Sequence, residues 1–288
     1  MENQYVIIGG GIVGCLTAIK LIENGYDVTM IDRSVIGEES SAAGAGIIFP
    51  LMPWNYKSRV YELCLDALSF YKNFSKKLIK YGFEDPEFIE SGMICIEPED
   101  KREILQWAKK NNFRINEYLF HNRPAYELLK VAQINHKKLM ISIKQYLLEL
   151  GVNLIENVRM SKIENKSNYL KEWPTESNGF IKGDLFVTTL GAWSSEINDD
   201  LRNRIYPIRG QVIIYPKSEI KLDKILYKDD FYLLQRKCGS ILAGSTVENV
   251  GFDKTTTLEA AKELNEKAVD LIPELGALDP CNQWAGLR

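Results

Sequence analysis

Three glycines and one acid near the N-terminus have the types and spacing of a dinucleotide site. Gly9, Gly11 and Gly14 form the pattern G-x-G-x-x-G, and Asp32 ends the second apolar run that follows. The first glycine allows a tight turn, the second allows backbone to approach a pyrophosphate, and the third allows a helix to pack on a strand. A helix N-terminus attracts phosphates, and Asp32 is placed to accept hydrogen bonds from ribose hydroxyls. This pattern predicts a bound dinucleotide.

The elements around these residues fit that prediction. Residues 6–8 form a short β-branched run typical of a buried strand, residues 15–23 are helix-like, and residues 28–31 predict a second strand. The alternative is a glycine-rich turn that binds nothing. We disfavour it because strand, helix, second strand and terminal acid all stand at the expected spacing.

Two further stretches could contact a large planar ligand. Residues 40–46 are small, and their backbone can lie flat against a ring; a flexible linker is the alternative, but the apolar residues 47–51 follow at once. Residues 184–193 predict a buried strand that opens into a turn at Gly191. Such a turn can pack under the adenine half of a dinucleotide, although an ordinary strand–helix turn has the same pattern.

The remaining pattern predicts two interleaved domains. Residues 57–80 are expected to form one long helix with an apolar stripe in the core, and Thr256-x-x-Glu259 is typical of a capping box that starts another helix. Residues 152–155 and 158–163 are expected to form strands, and from residue 205 the predicted strands become longer and alternating. We therefore expect an α/β fold in which a Rossmann-like nucleotide domain is interleaved with an α+β antiparallel-sheet domain, and the active site lies between them. The expected divisions are 1–80 with 150–205, and 81–149 with 206–288.

The amino-acid composition limits which class of protein this chain can belong to. The 288 residues include 45% hydrophobic and 26% charged residues, and the net charge of −3 gives no basic surface for nucleic acid. Five scattered cysteines without a C-x-x-C pair fit a reducing compartment, so we expect a cytoplasmic protein. The two histidines, His121 and His136, form no metal-ligand pattern. We also expect no signal peptide and no membrane span.

With these residues in view, the chain resembles the D-amino acid oxidase-like flavoenzymes, and among them the bacterial glycine oxidases linked to thiamine biosynthesis. The resemblance runs along nearly the whole chain. The segments that carry it most specifically are residues 40–44 (SSAAG), 207–211 (PIRGQ), 244–248 (GSTVE) and 284–288 (WAGLR), found in this order.

The resemblance implies FAD in an extended pose and a role for each matching residue. Gly9, Gly11 and Gly14 would hold the pyrophosphate and Asp32, with Arg33 beside it, the ribose. Val158 and Gly191 would lie on the adenine side. The residues implied along the flavin ring are Ser40, Ser41, Ala42, Ala43 and Gly44. Arg288 and Tyr232 are implied to hold the substrate carboxylate.

The implied reaction is oxidation of a small amino acid by hydride transfer to flavin, followed by imine hydrolysis and peroxide formation with oxygen. Two alternatives stay open: a flavin dehydrogenase that uses another electron acceptor, and a truncated, non-catalytic nucleotide-binding remnant. A nicotinamide enzyme is disfavoured because residues 40–46 and 284–288 fit flavin relatives.

The sequence departs from the resembled pattern at three places. Gln235 stands where a proline is common, and Val247 replaces a variable residue near the substrate. Relatives continue well past the arginine that corresponds to Arg288. We therefore expect the 288-residue chain to bind FAD weakly or not at all and to turn over poorly, with an open flavin site and an apolar sheet edge that favours association with another chain.

Overall fold

The computed structural model describes residues 4–56, 58–99, 101–162, 170–197, 199–201 and 204–288. Its strands are β1 (Gln4–Ile8), β2 (Asp27–Ile31), β3 (Ile47–Ile48), β4 (Met93–Ile96), β5 (Ile115–Phe120), β6 (Arg123–Leu128), β7 (Ala132–Gln133), β8 (Asn153–Ile155), β9 (Glu172–Pro174), β10 (Phe180–Lys182), β11 (Leu185–Thr188), β12 (Arg209–Tyr215), β13 (Ile225–Lys228), β14 (Phe231–Gln235), β15 (Ile241–Gly244) and β16 (Asn282–Leu287). Its α-helices are α1 (Ile12–Glu23), α2 (Ser40–Ala43), α3 (Ser58–Cys64), α4 (Ala67–Lys80), α5 (Lys101–Lys110), α6 (His136–Glu149), α7 (Ser194–Ile197) and α8 (Leu258–Leu271).

One sheet is parallel and carries the glycine-rich turn. Its order within the described residues is β11-β1-β2-β8, and every pair in it is parallel. The chain leaves β1 toward β2 on one side, while β11 joins on the other side. In open parallel sheets, ligands bind beyond the carboxyl ends of the strands where the strand order reverses in this way. The turn that follows β1 therefore lies at the expected position for a ligand.

Helix α1 packs closely on this sheet because its buried face has small residues. Gly14, Cys15, Ala18 and Ile19 are its buried positions, and their spacing of one, three and four residues defines one helical face. This face shares a core with Met30 of β2 and with helices α4 and α6.

The other sheet is larger and mostly antiparallel. Its order is β16-β12-β15-β14-β13-β4-β6-β5 among the described residues, and only the β13–β4 pair is parallel. One face packs against α8, and the other packs against the segment that follows α2 and against α5. This architecture confirms the predicted fold class. The division into two pairs of chain segments stays a prediction.

Three local expectations need correction. The helix expected over 57–80 is two helices, α3 and α4, because Tyr61 of α3 packs against Trp107 (4.9 Å between ring centroids) while α4 packs on α6. Residue 57 lies outside the described residues. The cap of α8 is Thr257, whose Oγ1 accepts from the Ala260 N–H at 3.3 Å, and not Thr256. The strand expected from residue 158 is reduced to a single bridge between Met160 and Thr175, and residue 163 is not described.

In the described part of the chain, no helix is both long enough and apolar enough to cross a membrane.

Candidate active site

The first cavity lies beyond the carboxyl ends of β1, β2 and β11 and has a volume of about 390 Å³. Eight of the predicted site residues line it: Gly9, Gly11, Asp32, Arg33, Ser40, Ser41, Val158 and Gly191. Sequence reasoning missed Thr189 and Trp193, which also line it. Both residues belong to the predicted strand and turn over 184–193, but within that segment the sequence pattern indicated only Gly191 as a site residue.

Gly14 does not line this cavity, and its contribution is packing. A Cβ built on Gly14 would lie 2.0 Å from the Gly9 carbonyl oxygen. Any side chain there would push α1 away from the turn after β1. The Thr189 hydroxyl donates to that same Gly9 carbonyl at 2.7 Å, which ties the end of β11 to the turn. The third glycine of the motif thus lets strand, turn and helix meet.

Two side chains organise the turn for an anionic ligand. Asp32 accepts from the Gly10 N–H at 2.6 Å and from the Ser34 N–H at 2.8 Å, so its carboxylate is held at the end of β2. The Ser41 hydroxyl accepts from the Ile12 N–H at 2.9 Å and thereby caps α1 from a distant part of the chain. These contacts bring α2 against the N-terminus of α1.

The mouth of the first cavity carries a cation beside an aromatic ring. The Arg33 guanidinium lies 4.6 Å from the Trp193 ring centroid and 3.5 Å from Glu196 Oε2. Trp193 in turn stacks on Phe252 at 5.9 Å between ring centroids. A cation over an indole face is stabilised by the ring quadrupole, so the contact with Trp193 fixes the position of the Arg33 guanidinium.

The second cavity, of about 260 Å³, lies on the other side of α2. It is bounded by small and apolar residues from α2 to β3, by the ends of β12, β14 and β16, and by Ser245. Ser40 lines both cavities, so the two spaces adjoin at the start of α2. Ala43 and Gly44 line the second cavity, whereas Ala42 lines neither.

Tyr232 and Arg288 meet in this second cavity through Ser245. Arg288 Nη2 donates to the Ser245 hydroxyl at 3.3 Å and to the Thr246 carbonyl at 2.6 Å. Burial raises the pKa of Tyr232, while a hydrogen bond with Ser245 and the charge of Arg288 oppose that rise. Tyr232 is therefore a neutral phenol beside a cation. Sequence reasoning named both residues but not Ser245, because their meeting depends on the pairing of β14 with β15.

The guanidinium of Arg288 lies across a glycine. A Cβ built on Gly210 would be 3.0 Å from Arg288 Nη2 and 3.4 Å from the Thr246 carbonyl oxygen. The Arg288 and Ile208 backbones exchange hydrogen bonds of 2.8 and 2.7 Å, which extends the β12–β16 ladder to this point. Gly210 is thus the position that leaves room for the arginine side chain.

Helix α2 and strand β16 are bound to each other between the two cavities. The Ser40 hydroxyl donates to the Leu287 carbonyl, and Trp284 Nε1 donates to the Ala43 carbonyl at 2.9 Å. A Cβ on Gly286 would lie 2.3 Å from the Ala43 Cβ, so the two backbones approach closely. The small residues at 40–44 therefore have a packing reason as well as a binding one.

Two features of the structure fit a dinucleotide that spans both cavities. The spaces adjoin at Ser40, and Ala45 and Gly46, whose N–H groups have no acceptor among the described residues, line the second one. Among the described residues no group of histidine, cysteine or carboxylate side chains could hold a metal ion. A parallel sheet with a G-x-G-x-x-G turn and a terminal acid, beside an antiparallel sheet with a second cavity, is typical of dinucleotide-binding proteins that carry a separate substrate domain.

Comparison with known proteins gives the family. The family described as FAD dependent oxidoreductase matches residues 4–288. A glycine oxidase of Pseudomonas aeruginosa is 31% identical, with 100% of this chain and 83% of that protein covered. The solved glycine oxidase of Bacillus cereus has a TM-score of 0.89 at 23% identity, covering 100% of this chain and 83% of its own. An L-proline dehydrogenase from P. horikoshii shares the fold with a TM-score of 0.83 at 21% identity, over 99% of this chain and 81% of its own. The chain belongs to the FAD-dependent oxidoreductase family, and FAD is its cofactor.

Proposed function

We propose that this protein oxidises glycine or small D-amino acids with FAD and passes the electrons to oxygen. The observation that carries the proposal is the meeting of Arg288 and Tyr232 around Ser245, in a cavity that adjoins the dinucleotide turn. The similarity to glycine oxidases at 31% identity supports the substrate class.

FAD is proposed to extend along both cavities. The turn containing Gly9 and Gly11, together with the start of α1, would hold the pyrophosphate, and Asp32 would accept from the ribose. The adenine half of FAD would lie beside Arg33, Val158 and Gly191. The flavin would lie against the stretch from Ser40 to Gly46, which includes two backbone N–H groups without an acceptor among the described residues.

Arg288 is proposed to bind the substrate carboxylate. The Ser245 and Thr246 contacts occupy Nη2, whereas Nε and Nη1 have no partner among the described residues. Those two nitrogens are donors that can engage a carboxylate, and charge-assisted bonds of this kind are the strong ones. The Tyr232 hydroxyl would give a further hydrogen bond from the buried side. Together they would fix the carboxylate and leave the α-carbon facing the flavin.

The walls of the cavity favour a small substrate. Phe49, Leu51 and Val212 are among the residues that line it, and its total volume is about 260 Å³, part of which the flavin ring would occupy. Bound FAD supplies the acceptor for the α-hydride of an amino acid whose amine is neutral. The protein's own contribution is orientation and exclusion of water, so no histidine–carboxylate pair is required.

The experiment is a peroxide assay with air as the sole electron acceptor, using glycine and D-alanine. We expect the protein with bound FAD to form peroxide. Arg288→Ala should raise the apparent KM by at least about tenfold, because a charge-assisted hydrogen bond is worth about 1.5–3 kcal/mol and each 1.4 kcal/mol is roughly tenfold. Arg288→Lys should restore part of the loss.

Arg114→Ala is the matched control, since Arg114 is exposed and lines neither cavity. Unchanged kinetics in Arg288→Ala would remove Arg288 from the site. Reduction of a dye or quinone without peroxide would indicate a dehydrogenase instead. Failure to retain FAD under any condition would indicate a non-catalytic remnant.

A further inference from the structure

A second arginine, Arg236, is buried behind the wall of the second cavity. It is 7% exposed and stands just after β14. Its Nη2 donates to the Ala45 carbonyl at 2.8 Å, and its Nη1 donates to the Ile134 carbonyl at 3.0 Å. None of the ion pairs found within the described residues includes Arg236. Burial lowers the pKa of Arg236 to about 10, so the group remains a cation at neutral pH.

A buried cation without a direct ion pair is energetically costly unless hydrogen bonds compensate its lost hydration. Arg236 Nη1 also donates to Gln133 Oε1 at 3.4 Å, and the charge of Glu87 opposes the effect of burial on the pKa of Arg236. The His136 ring is also in reach, with 3.4 Å between its Nδ1 and Arg236 Nη2, and it too is buried. The cost suggests that the charge acts on something close by.

The cation lies on the far side of the cavity wall. Ala45, Gly46 and Tyr232 line the second cavity, whereas Arg236 does not. The Ala45–Gly46 peptide is therefore placed between the guanidinium and the cavity. The positive charge of Arg236 also acts on the Tyr232 hydroxyl by favouring its ionised form.

The geometry of the Ala45–Gly46 peptide gives the direction of the Gly46 N–H. In a planar trans peptide, the C=O of one residue and the N–H of the next point in opposite directions. Because the Ala45 carbonyl points to Arg236, the Gly46 N–H points away from it. That N–H has no acceptor among the described residues, and Gly46 lines the cavity.

We propose that Arg236 is a positioning residue that fixes and polarises the Ala45–Gly46 peptide, so that the Gly46 N–H stabilises the electron-rich reduced form of the flavin. The proposal rests on the flavin position given under Proposed function. A charge-assisted bond to the carbonyl strengthens the hydrogen bond that the same peptide donates on its other side. Such a fixed dipole needs no reorganisation when charge develops on the cofactor. Arg236 would thus raise the flavin reduction potential without touching the flavin or the substrate.

The test measures that potential in the protein with bound FAD by equilibration with reference dyes, without any amino acid. Arg236→Met removes the charge and both bonds. Arg236→Gln is neutral but retains an amide donor for the Ala45 carbonyl. Lys237→Met is the matched control, because Lys237 is the next residue but pairs with Asp85 on the exposed side of the hairpin, with 2.7 Å between Nζ and Oδ2.

We expect both neutral variants to make two-electron reduction at least about tenfold less favourable, which corresponds to about 30 mV. Lys237→Met should leave the potential unchanged. A wild-type potential in either neutral variant that retains FAD would overturn the proposal. If neither variant retains FAD, Arg236 is structural and the proposal fails. Since no substrate is present, these outcomes do not depend on whether glycine is oxidised.

Discussion

At the scale of single residues, titratable side chains behind the second cavity are buried away from solvent. His136 illustrates this, because its ring is 7% exposed and its Nε2 has no hydrogen-bond partner among the described residues. Burial, with the nearby charge of Arg236 added, lowers the pKa of His136 from 6.5 to about 4. The imidazole is therefore neutral in the folded protein near pH 7, which keeps a second cation away from Arg236.

This depressed pKa predicts a specific acid sensitivity. As the pH falls below about 6.5, the unfolded chain takes up a proton at His136 while the folded protein does not, so stability falls until the pH reaches about 4. Between pH 7 and pH 5 the His136 contribution should be about 2 kcal/mol. Urea unfolding of His136→Gln should show a pH dependence smaller by that amount than the wild type.

His121→Gln is the control, since His121 lies in a surface turn. Identical pH dependence in the wild type and His136→Gln would show that His136 does not carry the effect.

The sequence predicts residues of the site where short-range pattern is sufficient. Gly9, Gly11 and Asp32 follow from spacing within one βαβ unit, and the structure places all three in the first cavity. Ser245 and Arg236 could not be found this way. Their contacts with Arg288 and Ala45 depend on partners that are between 43 and 191 residues apart in the chain. A buried arginine whose hydrogen-bond partners are distant backbone carbonyl groups has no local sequence signal.

At the scale of elements, the proposed pyrophosphate site depends on the contact between α1 and the turn after β1. The N-terminus of α1 is capped by the Ser41 hydroxyl, and its Gly14 face meets the Gly9 carbonyl. The sequence pattern does not reveal that the helix expected over 57–80 divides at residues 65–66. Helices α3 and α4 pack on different partners, and apolar periodicity alone does not reveal a change of packing partner.

Gly14→Ala should separate α1 from the turn. A new Cβ at 2.0 Å from a backbone oxygen forces the helix to shift, and overpacking of this kind costs about 1–3 kcal/mol. We expect a loss near the upper end of that range in urea unfolding, together with weaker FAD binding because the N–H groups no longer converge.

Thr17→Ala on the same helix is the control, and a change within about 0.5 kcal/mol is expected there. FAD affinity and stability that are unchanged in Gly14→Ala would show that the third glycine is not required for packing.

For the whole molecule, the two cavities on either side of α2 predict how ligands stabilise the protein. A ligand that binds only the folded state raises its stability by RT ln(1 + [L]/Kd). In the proposed placement, ADP would match only the first cavity and FMN would lack an adenosine for Asp32, whereas FAD would engage both spaces. FAD should therefore raise the thermal unfolding midpoint more than ADP or FMN at equal concentration, and flavin released from the purified protein should be FAD.

A thermal shift titration with each ligand measures this order. An equal shift from FMN and FAD, or recovery of FMN alone from denatured protein, would contradict the placement of the adenosine in the first cavity.

The bonding of α2 to β16 has a consequence for how such enzymes diversify. The segment proposed to lie against the flavin and the strand that carries Arg288 share one backbone frame, joined at Ser40 and Trp284. Phe49 and Leu51 stand outside those joints. Under the proposed function, mutation at these two positions would alter which substrate side chains are admitted, while the distance from Arg288 to the flavin is preserved. The bond that is oxidised would then be inherited with the fold, and the substrate range would be free to change.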